Sequence, residues 1–308
     1  MGTLTVIRAG MLTTVQDLGR WGRQHLGVPV AGPMDWYSHR LANSLLDNAA
    51  DAAALEVTLM GPELLTDTET MCAVAGAEFE ITAGERRVRT GEPFVVAAGE
   101  RVRFGNRIAG TRATFAVSGG FTLPLVLGSR STSLTSRLGP FGGRALKVGD
   151  ALTIGSSRLA ERRRPGRPAA MPRGGARLRV IMGPHDEMFS DAARLAFPKS
   201  RYVITSESNR MGYRLDGPRL DYRRPIDMLS DATPIGSLQV PASGWPILLM
   251  ADRQTTGGYP KIATVITADL PIAGQLAPGD WVEFEPCSRA VALEALRRRE
   301  AALAGITP

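Results

Sequence analysis

Short runs of apolar and β-branched residues recur along the whole chain of 308 residues. In the first half they are LTVIRAG, ALEVTLMG, MCAVAGAEFEIT, PFVVAAG, RVRFG, ATFAVSGG and ALTIG. In the second half they are LRVIMG, RYVIT, GYRLDG, WPILLMA, ATVITA and DWVEFEP. Gly, Pro, Asp and Asn bound most of these runs, which is typical of strands joined by tight turns. The pattern predicts a mainly β protein built from antiparallel sandwiches or barrels.

Three short segments of the sequence share one pattern. AAGERVRFG, KVGDALTIG and APGDWVEFE each place a Gly and an acidic residue before an alternating strand. Gly permits the left-handed backbone of a tight turn, and the acid can accept hydrogen bonds from the turn amides. Two of the segments lie in the first half and one closes the second. We therefore expect tandem barrels of related design.

Helical periodicity is confined to three segments. MDWYSHRLANSLLDN places its apolar residues approximately on one face, with Asp35 or Ser38 as the candidate N-cap. AARLAFP predicts a short helix that Pro198 ends. SRAVALEALRRREAALAG predicts a longer C-terminal helix that ends at Gly305. Helices are therefore expected to be few.

The positive charge is concentrated in one segment. The chain has 37 Lys and Arg against 30 Asp and Glu, a net charge of +7. Residues 158–179 hold eight Arg and one Glu, so the rest of the chain sums to zero. The segment is rich in Pro and Gly and has no aromatic residues for base stacking, which favours a mobile linker over nucleic-acid or membrane-lipid contact. It divides the chain into an N-terminal barrel half, 1–157, and a C-terminal barrel half with a terminal helix, 180–308.

The sequence gives no support for several classes of protein. No apolar run reaches the roughly 20 residues of a membrane helix, and the N-terminus does not resemble a signal peptide, so we expect a cytoplasmic protein. Cys72 and Cys287 are expected to be buried or idle thiols. P-loop, zinc and G-x-S-x-G motifs are missing, and no metal site is expected. His185 in PHDEMF is interpreted as loop chemistry.

Polar residues gather in four clusters that turn chemistry alone does not explain. The first cluster contains Thr13, Thr14, Gln16, Asp17, Arg20, Asp35, Arg40 and Asn43. The second is Glu56 in LEVTLMGP, and the third, in SESNRMGYRLDG, contains Asn209, Arg210 and Arg214. The fourth, DRQTTGGYPKIAT, contains Asp252, Arg253, Gln254, Thr255, Thr256, Gly257, Gly258, Tyr259 and Lys261.

The fourth cluster lies between two apolar strands and has the groups of an anion site. Gly257 and Gly258 let backbone N–H groups approach a ligand closely. Arg253 offers a fork suited to carboxylate or phosphate, and Lys261 offers a point charge. Asp252 could accept a proton or hold Arg253. A polar hairpin turn with a solvent-facing rim remains the alternative interpretation.

Two acids of the other clusters also have two interpretations each. Glu56 is either the partner of a buried arginine or a catalytic group. Asp17 either forms a local ion pair with Arg20 or belongs to a functional site. The sequence leaves both alternatives open.

Seven motifs of the chain, and their order, resemble the allophanate hydrolase subunit 2 family. They are TTVQDLGRWG, GVPVAGPMD, HRLAN, LEVTLMGP, SNRMGYRLDG, TPIGSLQVP and DRQTTGGYPKIATV. That family includes 5-oxoprolinase subunits and the biotin-dependent carboxyltransferase region of urea carboxylase. The resemblance covers nearly the whole chain outside the Arg-rich segment, although GPMD replaces the more usual GAMD. It implies tandem cyclophilin-like β-barrels with a few short helices. It also implies a hetero-oligomer with the family's subunit 1, a homologue of the B subunit of 5-oxoprolinase. The A subunit of that enzyme is a second partner compatible with the resemblance.

The resemblance implies three alternative functions. In the preferred one, the chain is a subunit of an ATP-dependent 5-oxoprolinase, which opens 5-oxo-L-proline, a small-molecule amide, to L-glutamate. The chain is then expected to be inactive without its partners, and ATP to be bound by it or by the complex. In the second, it transfers a carboxyl group from carboxybiotin to urea or a related amide. Biotin is expected as a cofactor only under this second function. In the third, it is a non-catalytic antagonist of a kinase inhibitor, acting by protein contact.

The preferred function assigns roles to the polar clusters. Arg20, Arg253 and Lys261 are expected to bind anionic groups, and Asp17 or Asp252 to transfer a proton. The catalytic candidates are thus Asp17, Asp252, Arg253 and Lys261, and the residues expected to orient the substrate are Thr255, Thr256 and Tyr259. The other substrate-binding candidates are Gln16, Arg20, Asp35, Asn43, Glu56, Asn209, Arg210, Gln254, Gly257 and Gly258.

Overall fold

The computed structural model describes residues 2–156, 169–225 and 228–305. Its contacts divide the chain into two compact units. Unit 1 comprises Met1–Arg20, Ala31–Met171 and Glu300–Pro308, and unit 2 comprises Trp21–Val30 and Pro172–Arg299. The units depart from the predicted halves at residues 21–30 and 300–308. Residues 158–168 of the predicted linker lie outside the described residues, and its last residues already belong to a strand.

Unit 1 contains a nine-stranded sheet in which the long strands β5 and β8 form the main antiparallel ladder. The main path of the sheet runs β2-β3-β8-β4-β1-β9, and β5 pairs with β6, β7 and β8. Its strands are β1 (Thr3–Arg8), β2 (Leu12–Gln16), β3 (Ala54–Thr58), β4 (Glu63–Thr66), β5 (Thr70–Ala83), β6 (Arg86–Val88), β7 (Pro93–Val96), β8 (Arg101–Val117) and β9 (Ala151–Thr153). The two runs RVRFG and ATFAVSGG, predicted as separate strands, are both parts of β8.

Strand β5 explains how unit 1 builds two cores on one sheet. Alternate side chains of a strand point to opposite faces. Cys72 and Val74 accordingly belong to the core inside the curved sheet, while Ala73 and Ala75 belong to a second core with Leu41 of a helix. Alanines on the outer face let that helix pack closely against the strand. The core inside the sheet and this helix together bury the first half of β5 on both faces.

Among the described residues, three helices lie in the predicted segments, and two short ones, Pro140–Gly143 and Leu270–Gly274, were not predicted. Helix α1 (Trp36–Ser44) has Asp35 as its N-cap, whose carboxylate accepts a hydrogen bond from the Ser38 backbone N–H at 2.9 Å. The other helical elements are α2 (Pro140–Gly143), a short turn with two left-handed residues, α3 (Asp191–Ala196), α4 (Leu270–Gly274) and α5 (Arg289–Ala304). Single 3-10 turns occupy Gln24–Leu26, Asp186–Met188, Phe197–Lys199 and Thr267–Asp269.

Unit 2 is a closed seven-stranded barrel in the order β10-β17-β14-β15-β12-β11-β18. The barrel closes through β10 and β18, which pair in parallel, whereas its other ladders are antiparallel. The strands are β10 (Gly175–Met182), β11 (Arg201–Ile204), β12 (Gly212–Asp216), β13 (Asp231–Ala232), β14 (Ser237–Gln239), β15 (Ile247–Leu249), β16 (Thr256–Gly257), β17 (Lys261–Val265) and β18 (Trp281–Pro286). Strands β13 and β16 form a separate two-stranded ladder. The prediction of a mainly β, barrel-based chain with few short helices is confirmed.

Both cysteines are free thiols. Cys72 is fully buried in β5, and Cys287 is half-buried. Burial raises the pKa of each thiol above its ordinary value, so neither is an activated nucleophile at neutral pH. Within the part of the chain that the structure describes, no helix is long and apolar enough to cross a membrane.

Candidate functional site

The fourth polar cluster joins β15 to β17 and includes a short strand, β16. The sequence indicated a polar stretch between two apolar strands, and within it Thr256 and Gly257 pair with Ala232 and Asp231 of β13. Neither Gly257 nor Gly258 has a left-handed φ. A Cβ on Gly257 would lie 2.7 Å from Nε2 of Gln239, so the missing side chain makes room for that amide.

Arg253 and Lys261 are the two buried cations of this cluster, at 8% and 3% exposure. Lys261 Nζ donates to Asp231 Oδ2 at 2.8 Å and to the Ala232 carbonyl at 2.9 Å. Arg253 Nε donates to the Thr233 carbonyl at 2.7 Å. Within the described residues Arg253 has no carboxylate partner. Burial lowers the pKa of Arg253 to about 10, which leaves it charged at neutral pH.

Asp252 holds an arginine, but that arginine is Arg210 and not the neighbouring Arg253. Arg210 Nε and Nη2 lie 3.1 Å from Oδ2 and Oδ1 of Asp252, and both side chains are buried. The third and fourth clusters therefore meet through this forked ion pair. Asn209 is exposed and accepts a hydrogen bond from Met211 N–H, and Arg214 forms an exposed ion pair with Glu207.

A cleft of about 320 Å³ in unit 2 opens beside the fourth cluster. Its apolar lining comes from Trp21, Val30, Pro234 and Ile235, and its polar lining includes Arg253, Gln254 and Thr255. Gln254 Nε2 donates to Gln239 Oε1 at 3.0 Å, which fixes the amide at the cleft wall. Thr256 and Tyr259, which were expected to orient a substrate, are exposed and do not line this cleft.

His185, which the sequence assigns to loop chemistry, contacts the fourth cluster. Its Nδ1 accepts a hydrogen bond from the backbone N–H of Lys261 at 3.2 Å, so the loop between β10 and α3 meets the end of the fourth cluster. Burial lowers the pKa of His185, the nearby Lys261 ammonium lowers it further, and Asp231 partly opposes both. The ring is therefore neutral at pH 7. The residue types in PHDEMF gave no signal of this contact, because it joins positions far apart in the chain.

Asp17 lies at the centre of a buried hydrogen-bond network in unit 1. Its carboxylate accepts from Ser129 Oγ at 2.6 Å, Ser131 Oγ at 2.7 Å, and the backbone N–H groups of Arg130 and Gly19. Burial raises its pKa, but these four hydrogen bonds together outweigh burial and hold the pKa below its ordinary value. Arg20 donates to the backbone carbonyls of Val126 and Ser131. The serines of GSRSTS were missed because such a stretch is also typical of a surface turn.

The first and second clusters meet where β2 pairs with β3, since Thr14 stands opposite Glu56. Glu56 accepts the Met34 backbone N–H at 2.6 Å, and Gln16 Nε2 donates to Thr14 Oγ1 at 3.0 Å. The side chains of Thr13, Thr14, Gln16, Asp35, Asn43 and Glu56 are all buried. These side chains therefore form part of the interior of unit 1. Their predicted roles in substrate binding remain predictions.

Two further contacts complete the first cluster. Arg40 forms a forked ion pair with Glu300 of α5, with N···O distances of 2.6 and 2.9 Å. Asn43 Nδ2 donates to the Ala52 carbonyl and lies 3.2 Å from Nε2 of the buried His39. Across residues 2–156, 169–225 and 228–305, no group of three or more His, Cys, Asp or Glu residues could hold a metal ion.

Comparison with known proteins identifies the family. A family model described as "Carboxyltransferase domain, subdomain A and B" matches residues 26–286. The chain belongs to this family. It is 40% identical to the C subunit of the Escherichia coli 5-oxoprolinase, over 95% of this chain and 94% of that protein. It is 37% identical to the C subunit of the Haemophilus influenzae 5-oxoprolinase, over 93% of this chain and 92% of that protein.

The same fold occurs inside a much larger enzyme. The crystal structure of the Kluyveromyces lactis urea amidolyase superposes with a TM-score of 0.90 at 32% identity. The match covers 99% of this chain but only 20% of that protein. The chain thus spans about a fifth of the urea amidolyase, and nearly the full length of the two bacterial 5-oxoprolinase subunits. The resemblance found in the sequence motifs is confirmed.

Proposed function

We propose that this chain is a subunit of an ATP-dependent 5-oxoprolinase, which converts 5-oxo-L-proline to L-glutamate. The near full-length similarity to two 5-oxoprolinase subunits supports this function. The observation that carries it is Arg253, a buried guanidinium at the wall of the unit 2 cleft that no carboxylate among the described residues neutralises. Such a group is suited to an anionic substrate.

The chemistry of the substrate matches the lining of the cleft. 5-Oxo-L-proline carries a carboxylate and a lactam, and the lactam carbonyl is a poor electrophile because of amide resonance. Phosphorylation of the lactam oxygen by ATP would remove that obstacle. Arg253 can bind the carboxylate or a phosphoryl group, while Gln254 and Thr255 at the same wall can form hydrogen bonds to the lactam.

The proposal includes partners that supply the rest of the reaction. A homologue of the B subunit of 5-oxoprolinase is the first partner, and the A subunit is the second. ATP is a co-substrate in this proposal, bound by this chain or by the assembled complex. This chain alone is expected to be inactive, and the complex is expected to work in the cytoplasm.

Arg253→Ala tests the proposed function. Co-expressed with both partner subunits, the wild-type chain should release glutamate from 5-oxo-L-proline only when ATP is present. Because the substitution removes the cation that binds the anionic group, we expect kcat/KM to fall by about a hundredfold or more. The matched control is Arg289→Ala, an exposed arginine at the start of α5, which should keep full activity.

Absence of ATP-dependent glutamate release from a complex shown to assemble would overturn the proposal. The second candidate is then carboxyl transfer from carboxybiotin to urea or a related amide, which the match to a carboxyltransferase family model favours. It is tested by adding a carboxylated biotin carrier and measuring loss of its carboxyl group with urea present. If neither reaction occurs, regulation by protein contact becomes the leading function.

A further inference from the structure

His185, Asp231 and Lys261 form a compact group at the end of the fourth cluster. Lys261 contributes to it twice, through its backbone N–H to His185 Nδ1 and through its ammonium to Asp231. Asp231 lies on the short ladder formed by β13 and β16, and its neighbour Ala232 both accepts from Lys261 and lines the cleft. The group therefore adjoins the cleft that contains Arg253.

Two hydrogen-bond donors of this group lack protein acceptors within the described residues. The His185 ring accepts at Nδ1, so in its neutral form the ring proton is on Nε2, and that N–H has no partner. Lys261 Nζ has three N–H bonds, of which Asp231 Oδ2 and the Ala232 carbonyl accept two. Asp231 is more than half exposed, so its charge is partly screened by solvent.

Backbone geometry fixes the tautomer of His185. An N–H donor aimed at Nδ1 excludes a proton from that nitrogen, as a hydrogen-bonded partner does for other functional histidines. His185 stands directly before the 3-10 turn Asp186–Met188, and its ring is half-buried. A neutral imidazole with a fixed Nε2–H is a donor suited to an oxyanion and does not repel the neighbouring ammonium.

We propose that His185 is a substrate-binding residue, and that its Nε2–H and the Lys261 ammonium together bind an anionic oxygen of the substrate. This inference rests on the proposed function. The shared chemistry is an oxyanion, which has two sources in the reaction: the carboxylate of 5-oxo-L-proline and the phosphate groups of ATP. Arg253 then binds a different anionic group within the same site.

The test uses the assembled complex and three variants. His185→Leu removes the donor, His185→Gln keeps an N–H near the position of Nε2, and Glu187→Gln is a matched control in the same turn, at an exposed side chain. For each variant, KM is measured separately for 5-oxo-L-proline and for ATP. Loss of one hydrogen bond to a charged group predicts a rise of about tenfold to hundredfold in one KM for His185→Leu. His185→Gln should recover most of that loss.

The substrate whose KM rises identifies the source of the oxyanion. An unchanged KM for both substrates in His185→Leu would overturn the inference. It would also be overturned if His185→Gln and His185→Leu lost the same activity through kcat and thermal stability alone, because this result indicates a structural role. Either result leaves the 5-oxoprolinase function intact, since the wild-type complex is active in both.

A second measurement separates failure of the inference from failure of the proposed function. The chain has three histidines, so the Cε1–H signal of His185 is assigned in NMR spectra by comparison with His185→Gln. Inorganic phosphate or 5-oxo-L-proline added to the full chain should shift this signal and raise the pKa of His185, and Lys261→Met should weaken the effect. If the complex is inactive, this titration decides the inference by itself, and no shift with either anion rejects it.

Discussion

At the residue scale, two buried arginines of unit 2 differ in whether a carboxylate neutralises their charge. Arg210 is neutralised by a forked ion pair with Asp252, whereas Arg253, among the described residues, donates to backbone carbonyls and to no carboxylate. A buried charge without a counter-ion costs free energy, and the pKa of Arg253, lowered to about 10 by burial, records that cost. Natural proteins retain such costs mainly at functional sites. The contrast favours a supporting role for Arg210 and a ligand-binding role for Arg253.

The buried His39 predicts how stability depends on pH. Burial lowers its pKa from 6.5 to about 4, so between these values the unfolded chain binds a proton that the folded chain does not. The free energy of unfolding should therefore fall by roughly 3 kcal/mol as the pH falls from about 7 to about 4. Urea denaturation at a series of pH values measures this slope.

His39→Leu should remove this contribution from the pH dependence. The matched control is His25→Leu, because His25 is exposed and its replacement should leave the slope as it is in the wild type. A slope that survives in His39→Leu would show that another group is responsible.

At the element scale, polar residues inside the fold act mainly on where elements begin and how they pair. Asp35 starts α1 by accepting from both the Ser38 backbone N–H and the Ser38 hydroxyl. The backbone of β2 pairs with β3 while Thr13, Thr14 and Gln16 are buried on it. Several candidates for substrate binding thus have a structural task that the residue type alone did not reveal.

Asp35 allows these two roles to be separated. Asp35→Ala removes the N-cap acceptor and should lower the free energy of unfolding by about 1 kcal/mol. Asp35→Asn keeps an acceptor oxygen and should stay within about 0.5 kcal/mol of the wild type. We expect the activity of the assembled complex to follow stability in both variants, as measured by thermal unfolding and glutamate release. A stable but inactive Asp35→Asn would instead support the predicted role in substrate binding.

At the scale of the whole molecule, the net charge says little about the two units. The excess of +7 equals the charge of residues 158–179, and the rest of the chain is balanced. Within the described residues, several surface arginines are paired with acids, as Arg201 and Arg177 are with Glu283. The excess positive charge is thus a property of one segment and gives no support to nucleic-acid binding by the two units.

Neutralising that segment tests this interpretation. Residues 158–167 contain five arginines, and replacing all five by Gln should lower the salt concentration at which the chain elutes from a heparin column. Glutamate release by the assembled complex should stay within about twofold of the wild type, because none of the candidate site residues comes from this segment. A large loss of activity would instead assign the segment a partner or a substrate.

The sequence by itself determined the class of the fold, because strands and turns leave local signals. Alternating apolar runs bounded by Gly and Pro predicted strands that the structure contains, and the capping pattern around Asp35 predicted α1. Shared motifs also placed the chain in its family. Strands such as β2 were missed because buried Thr and Gln side chains obscure the apolar pattern.

Only the tertiary structure decided which polar groups meet. Asp17 finds Ser129 at a separation of 112 residues, Asp252 finds Arg210 at 42, and Lys261 finds His185 at 76. Such contacts depend on strand register and barrel closure, which no short stretch of sequence determines. The sequence could therefore name the charged groups of the site. The fold determined that Asp252 pairs with Arg210, that Arg253 meets no carboxylate among the described residues, and that His185 meets Lys261.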